Sequence, residues 1–291
     1  MARLIPAIDR GQLKDFPMLA AISGDNLAGL LVLLAAAGLL GGFLSGLLGI
    51  GGGGVLVPVL YEAYGAIGVP EDVRMHVTLG TTLGVIAPTV LRSFAAFRAR
   101  GTVDFDIVRR MGPWIFVGVT AGILIADHAS SVALRWVWVV FGTALAIKMA
   151  LGRDDWRIAD KLPRPPWLEG AAFGIGTIST LMGIGGASFT VPLLTLFGRP
   201  ILQAVATATG LGPIIAIPGL IGYVISGWGE PGLPPLSLGY VNAGALLIAP
   251  LGVLAAPYGV KMAHSIPKRA LELAFAAFLA CVALRFLLTL I

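Results

Sequence analysis

The chain has 291 residues, 57% of them hydrophobic and only 12% charged, with a net charge of +5 and a mean hydropathy of +0.92. Soluble domains carry about 25% charged residues, and the runs 27–48, 237–260 and 271–291 have the ~20-residue length that an apolar helix needs to cross a bilayer. This excludes an ordinary soluble domain, and the lone Cys281 excludes an internal disulfide or thiolate metal cluster.

Residues 1–26 form an N-terminal segment in which Arg3, Arg10 and Lys14 precede an apolar stretch. The run that follows, 27–48, is too long for the core of a signal peptide and is expected to stay in the protein. Helical pieces are expected at 27–48, 54–65, 74–98, 106–127 and 130–151, which make a first transmembrane repeat over 27–151. The polar, proline-rich linker 152–166 (GRDDWRIADKLPRPP) follows. A second repeat over 167–291 is expected to hold helical pieces at 167–182, 187–198, 200–227, 237–261 and 267–290.

The duplication is visible in the residues. GFLSGLLGIGGGGVLVPVL at 42–60 aligns without a gap on GTISTLMGIGGASFTVPLL at 176–194, pairing Gly-Ile-Gly-Gly with Gly-Ile-Gly-Gly and Pro58 with Pro192. Further on, 75–84 matches 201–210 with Thr81 on Thr207, and 122–134 matches 259–271. Each Gly-Ile-Gly-Gly interrupts an apolar run where glycine costs about 1 kcal/mol per helical residue. The short pieces after these breaks read as the return arms of hairpins. Each half then makes an odd number of net crossings, and the two halves have opposite orientation.

Charge follows the same plan. Arg98, Arg100, Arg109 and Arg110 crowd one loop; Arg153, Arg157, Lys161 and Arg164 crowd the linker; Lys261, Lys268 and Arg269 crowd a third. The crossings place all three on one face, and the positive-inside rule makes that face, with linker 152–166, cytoplasmic. The loops at 127–129 and 227–236 contain no Lys or Arg and fall on the other face. The expected fold is an all-α polytopic membrane protein of two inverted repeats, each a glycine-interrupted helical hairpin plus three transmembrane helices.

Inverted repeats with broken helices suit a secondary transporter, whose substrate sits where the breaks meet. A break frees backbone N–H groups at the start of the next helix, and the helix dipole favours an anion there. Glycine supplies the positive φ and lets backbone approach a ligand. The doubled G-x-G-G-[GA] stretch, each copy followed by a proline and then a threonine-bearing helix (GTTLG, ATATG), resembles the sulfite exporter TauE/SafE family, also called the toluene sulfonate uptake permeases. The resemblance spans roughly 30–290 and implies a multi-pass bacterial or archaeal-type inner membrane carrier of sulfite or a small organosulfonate, usually described as an exporter. The second stretch, GIGGAS, departs from a glycine run and places the Ser188 hydroxyl where the first has Gly54.

The candidate substrate-binding residues are Gly51, Gly52, Gly53 and Gly54 at the first break and Gly185, Gly186, Ala187 and Ser188 at the second. Thr81, Thr82, Thr207 and Thr209 add hydroxyls from the following helices; Ser45 and Ser179 also flank the glycines, and Gln203 and Asn242 are weaker candidates. Arg92, the deepest basic residue by this account, either binds the anion or snorkels to the interface. His76 sits at the outer end of its helix, where it either titrates or fills an interfacial polar role, and Lys148 and Arg285 read as snorkelers. With three histidines and one cysteine, none grouped with carboxylates in a ligand spacing, no metal, cofactor or catalytic site is expected. The absence of G-x-x-x-x-G-K-[ST] argues against a nucleotide-driven pump. The partners are a small anion, the bilayer and a coupling proton or sodium ion, with no nucleic acid; oligomeric state is not encoded in any motif. An anion channel or an uptake carrier for another anion would use similar chemistry.

Overall fold

The computed structural model describes residues 24–48, 52–151, 158, 159, 162–164, 166–262 and 268–291. Residues 49–51, and with them Gly51, lie outside this set, as do the N-terminal residues 1–23 and the linker residues Arg153, Arg157 and Lys161. The helices are α1 Gly24–Leu48, α2 Gly53–Ala66, α3 Glu71–Ala99, α4 Phe105–His128, α5 Ser131–Leu151, α6 Trp167–Met182, α7 Ala187–Leu196, α8 Ile201–Ser226, α9 Ala249–Met262 and α10 Lys268–Leu288. Among the described residues, five stretches are long and apolar enough to cross a membrane: α3, α4, α5, α8 and Ala245–Met262.

Helices α3 and α8 form the centre. Their apolar windows are each 67% buried, against 39%, 33% and 39% for α4, α5 and Ala245–Met262. The outer helices expose Phe116, Val117, Leu124 and Ile125 on α4 and Trp136, Val140 and Ile147 on α5. Such faces suit lipid, which is as apolar as the side chains.

The two halves exchange the same contacts. Helix α1 packs on α9, and α6, its counterpart in the repeat, packs on α4. In the repeat register Gly42 matches Gly176, and Gly122 matches Gly259. A methyl at Gly42 would enter the backbone of Gly252, and one at Gly176 would enter that of Ile115. A methyl at Gly259 would strike the Phe43 carbonyl, and one at Gly122 would come within 2.9 Å of the Thr177 carbonyl oxygen. Each pair maps onto the other when the halves are swapped. Gly42 and Gly46 let α1 lie backbone to backbone on α9, and Gly38, four residues earlier, meets the Ile248 carbonyl just before it, a small-residue seam of the kind that joins membrane helices.

The turns repeat as well. Gly68 and Gly198 both take positive φ, 79° and 78°, and Pro70 and Pro200 cap α3 and α8 in the same extended conformation. Glycine permits the left-handed turn, and proline fixes φ for the helix start. Helix α3 then has one extra turn, so the matching threonines fall four residues later after its proline. Further matched pairs lie at the next helix starts. Asp104 caps α4 by accepting from the N–H groups of Asp106 and Ile107, and Asn242 accepts from Ala245 N–H. These caps satisfy donors that a helix start would otherwise leave unpaired.

The expected helix at 237–261 forms only from Ala249. Its first part is a β-hairpin pairing Ser237 with Asn242 and Leu238 with Val241, followed by a 3-10 turn at Ala245–Ile248. Leu236 and Gly239 take positive φ, 62° and 56°, which no helix accepts, and the Tyr240 N–H docks on the Tyr223 carbonyl of α8. The apolar composition of the segment conceals this turn.

The 29-residue α3 separates two ends of the bundle by about 43 Å. At its C-terminal end Arg100 donates to the Val260 carbonyl, which brings the basic loop after α3 to the basic end of α9. At its N-terminal end Glu71 pairs with Arg135 at 2.6 Å, and Glu62 pairs with Arg285 at 3.0 Å.

Candidate functional site

Helix α6 ends in a glycine turn that satisfies its own carbonyls. Gly183 takes φ 64°, its N–H returns to Thr180 O, and Ile184 N–H reaches Ser179 O, a Schellman ending. The Met182 carbonyl, left over by this turn, accepts from the Trp138 indole N–H at 2.9 Å; Tyr223 OH reaches Thr180 O at 3.3 Å. Buried aromatics thus supply the donors that a broken helix lacks in an apolar medium. Arg135 is the deeply buried arginine of the described residues, at 2% exposure, whereas Arg92 is exposed on α3. Arg135 bridges α3, α5 and the C-terminal end of α10 through Glu71 and Thr289.

Three residues on, Gly186 takes φ 73° and caps α7, its carbonyl accepting from Phe189 and Thr190 N–H. The N–H groups of Ala187 and Ser188 find no acceptor among the described residues. Gly52 does the same for α2, with φ 69° and its carbonyl accepting from Val55 and Leu56. The two breaks touch. A methyl on Gly53 would stand 2.9 Å from Ile184 Cα and collide with the Gly183 carbonyl. Gly54, in contrast, faces Phe275 of α10, whose ring edge would lie 2.8 Å from a new methyl, and Gly52 is pressed on the Gly41 carbonyl. Gly185 and Gly186 lie in the buried stretch 181–188.

The threonines are engaged inside the protein. Thr81 Oγ1 accepts from Asn242 N–H at 2.9 Å and Tyr64 OH at 3.1 Å. Its repeat partner Thr207 accepts from Asp104 N–H at 3.1 Å. Thr82 and Thr209 donate to carbonyls of their own helices, Thr78 and Ala206. Thr81 and Thr207 thus each dock the residue that caps the next helical segment, Asn242 and Asp104. Gln203 Nε2, in the first turn of α8, and Arg199, just before that helix, reach the Asp104 carboxylate at 3.5 and 3.7 Å.

His76 is buried against the protein near the N-terminal end of α3. Its Nε2 lies 3.0 Å from both the Ala126 and Ala129 carbonyls, so that nitrogen carries the proton, and its ring packs on Tyr240 at 4.9 Å. It closes the C-terminal end of α4.

Two hydroxyls at the second break remain unmatched. Ser179 Oγ and Ser188 Oγ are buried without a partner among the described residues, and Ser179 Oγ lies 3.3 Å from the position a Gly186 Cβ would take. A pair of buried hydroxyls beside a free helix N-terminus offers donors to an anion and no positive charge to hold it. No group of His, Cys, Asp and Glu among the described residues could hold a metal ion.

The sequence profile of the sulfite exporter TauE/SafE family matches residues 34–286. The chain belongs to that family. It is 34% identical to a probable membrane transporter protein of Haemophilus influenzae over 262 residues, covering 89% of this chain and 98% of the relative. It is 28% identical to a probable membrane transporter protein of Methanocaldococcus jannaschii, over 89% of this chain and 96% of that one. The probable membrane transporter protein YunE of Bacillus subtilis is 29% identical over 67% of the chain and 79% of its own length. No solved structure matches. The TauE/SafE chain is thus a multi-pass membrane transporter and not an enzyme.

Proposed function

We propose that this TauE/SafE member is a secondary transporter that exports sulfite or a small organosulfonate across a cell inner membrane, using a proton or sodium gradient. Its halves insert in opposite orientations, with linker 152–166 and the basic ends of α3 and α9 in the cytoplasm. The anion is held near the midplane where the two breaks meet, by backbone N–H groups of the second break and by its hydroxyls. The supporting observation is the contact of Gly53 with Gly183 and Ile184, which joins the broken segments of the two halves at one point. Helix starts at such a point favour negative charge. The swapped pairs α1–α9 and α4–α6 give each half an equivalent surface on which to rock, as alternating access requires.

The experiment is flux into proteoliposomes of purified protein, with sulfite, sulfoacetate, an aromatic sulfonate and sulfate, each with and without a pH or sodium gradient. Saturable, gradient-dependent flux of sulfite or a sulfonate is the expected result. Currents at channel rates, or transport of none of these anions, would contradict the reading.

A further inference from the structure

The two breaks, alike in sequence, are not alike in their surroundings. At the first, Gly52 is pressed on Gly41, Gly53 on Gly183 and Gly54 on the Phe275 ring, and these three described glycines have no buried unmatched hydroxyl beside them. At the second, Ser179 Oγ and Ser188 Oγ are buried with no partner. The residues themselves are 0% and 4% exposed. Buried hydroxyls are normally satisfied, because leaving one unmatched forfeits its hydrogen bonds to water. Ser179 comes from the last turn of α6 and points at Gly186; Ser188 is the second residue of α7. The N–H groups of Ala187 and Ser188, like those of Gly53 and Gly54 at the first break, have no acceptor among the described residues. Ile215 of α8 lies directly against Gly186 and gives the site an apolar cover.

We infer that the second break alone is the anion cradle, with the Ser179 and Ser188 hydroxyls and the Ala187 and Ser188 N–H groups as its four donors, and that it selects singly charged oxyanions over dianions. The first break is its support: Gly53 bears on Gly183 and Ile184 and sets the turn that aims α7. The charge selectivity follows from what the cradle is made of. Its four donors are neutral, and the buried arginine, Arg135, is engaged by Glu71 and Thr289. Desolvating an ion costs energy that rises with the square of its charge, and in a dry site only donors or opposite charge offset it. A sulfonate or hydrogensulfite, with one charge spread over its oxygens, suits four neutral donors; sulfate costs far more to strip of water. This rests on the transport reading above but deepens it, and can fail alone.

The test is binding of methanesulfonate and of sulfate to the purified full chain in detergent, by calorimetry and by the shift in thermal midpoint. The parent, Ser179→Ala and Ser188→Ala are compared. Methanesulfonate should bind the parent at least ten-fold more tightly than sulfate. Each alanine variant should weaken methanesulfonate binding by about 10-fold or more, the loss of one hydrogen bond to a charged group. The unliganded midpoint should be unchanged or raised, since the hydroxyl removed has no partner to lose. Variants that bind methanesulfonate like the parent, or that lose unliganded stability, would overturn the cradle while leaving the transport reading intact. Sulfate binding as tight as methanesulfonate would overturn the charge selection. A parent that binds neither anion and does not transport sulfite would overturn the transport reading itself.

Discussion

The backbone of Gly53 abuts that of Ile184: a methyl added to Gly53 would stand 2.9 Å from the Ile184 Cα, closer than side chains approach in folded proteins. One residue of the first half thereby fixes the position of the turn that begins the second break. Contiguous glycines serve contact at one position and positive φ at another, Gly52 and Gly186 being the left-handed caps.

Gly53→Ala should therefore destabilise the protein by about 1–3 kcal/mol through overpacking of backbone on backbone. Gly170→Ala, where a methyl meets nothing within 4 Å, should be neutral or stabilise the helix by up to about 1 kcal/mol. Thermal unfolding of the two variants in detergent checks the contrast; equal midpoints would remove the break-to-break contact from the account.

Thr81→Val should leave the buried Asn242 N–H without its acceptor, at a cost of about 1–3 kcal/mol. Thr82→Val, which loses only a bond to a carbonyl of its own helix, should cost less than about 1 kcal/mol. Unfolding measured side by side, together with hydrogen exchange at residue 242, distinguishes them. A larger loss for Thr82 would reverse the assignment.

The duplication and the special place of the glycines were legible because contiguous glycine in an apolar run has no role in a plain helix. The hairpin at 237–242 was not, since Ser-Leu-Gly-Tyr-Val-Asn has the apolarity of a spanning helix and its turn depends on docking to Tyr223. Which hydroxyls stay unmatched was also hidden. The donors to Thr81 and Thr207 come from 17, 161 and 103 residues away, at Tyr64, Asn242 and Asp104, and no local pattern announces them. The burial of Arg135 is hidden in the sequence because an apolar helix with one arginine looks the same whether that arginine faces in or out; only Glu71 at 2.6 Å decides it.

Arg92→Gln should bind anion as the parent does, because Arg92 is exposed on the outer surface of α3. Arg135→Gln should lower the thermal midpoint, by less than the ~3–5 kcal/mol of a fully buried pair, since Glu71 is 58% exposed and water can take it up. Calorimetry on both variants checks this. A selective loss of affinity in Arg92→Gln would return that residue to the binding site.

In a Cys281→Ala background, Ala99→Cys should react with a membrane-impermeant thiol reagent only from the cytoplasm, and Pro231→Cys only from outside. Both positions are exposed, near opposite ends of the bundle. Labelling of both from the same side would contradict the opposed orientation of the halves.

The most direct measurement is the location of the anion itself. Selenite is a sulfite analogue with a usable anomalous signal, and a crystal structure of the protein soaked in it gives the position of the selenium without bias. A selenium peak is expected at the second break, with the selenite oxygens ~3 Å from the Ala187 and Ser188 nitrogens and the Ser179 and Ser188 hydroxyls. A peak beside Arg92, or at the first break with the second left unoccupied, would contradict it.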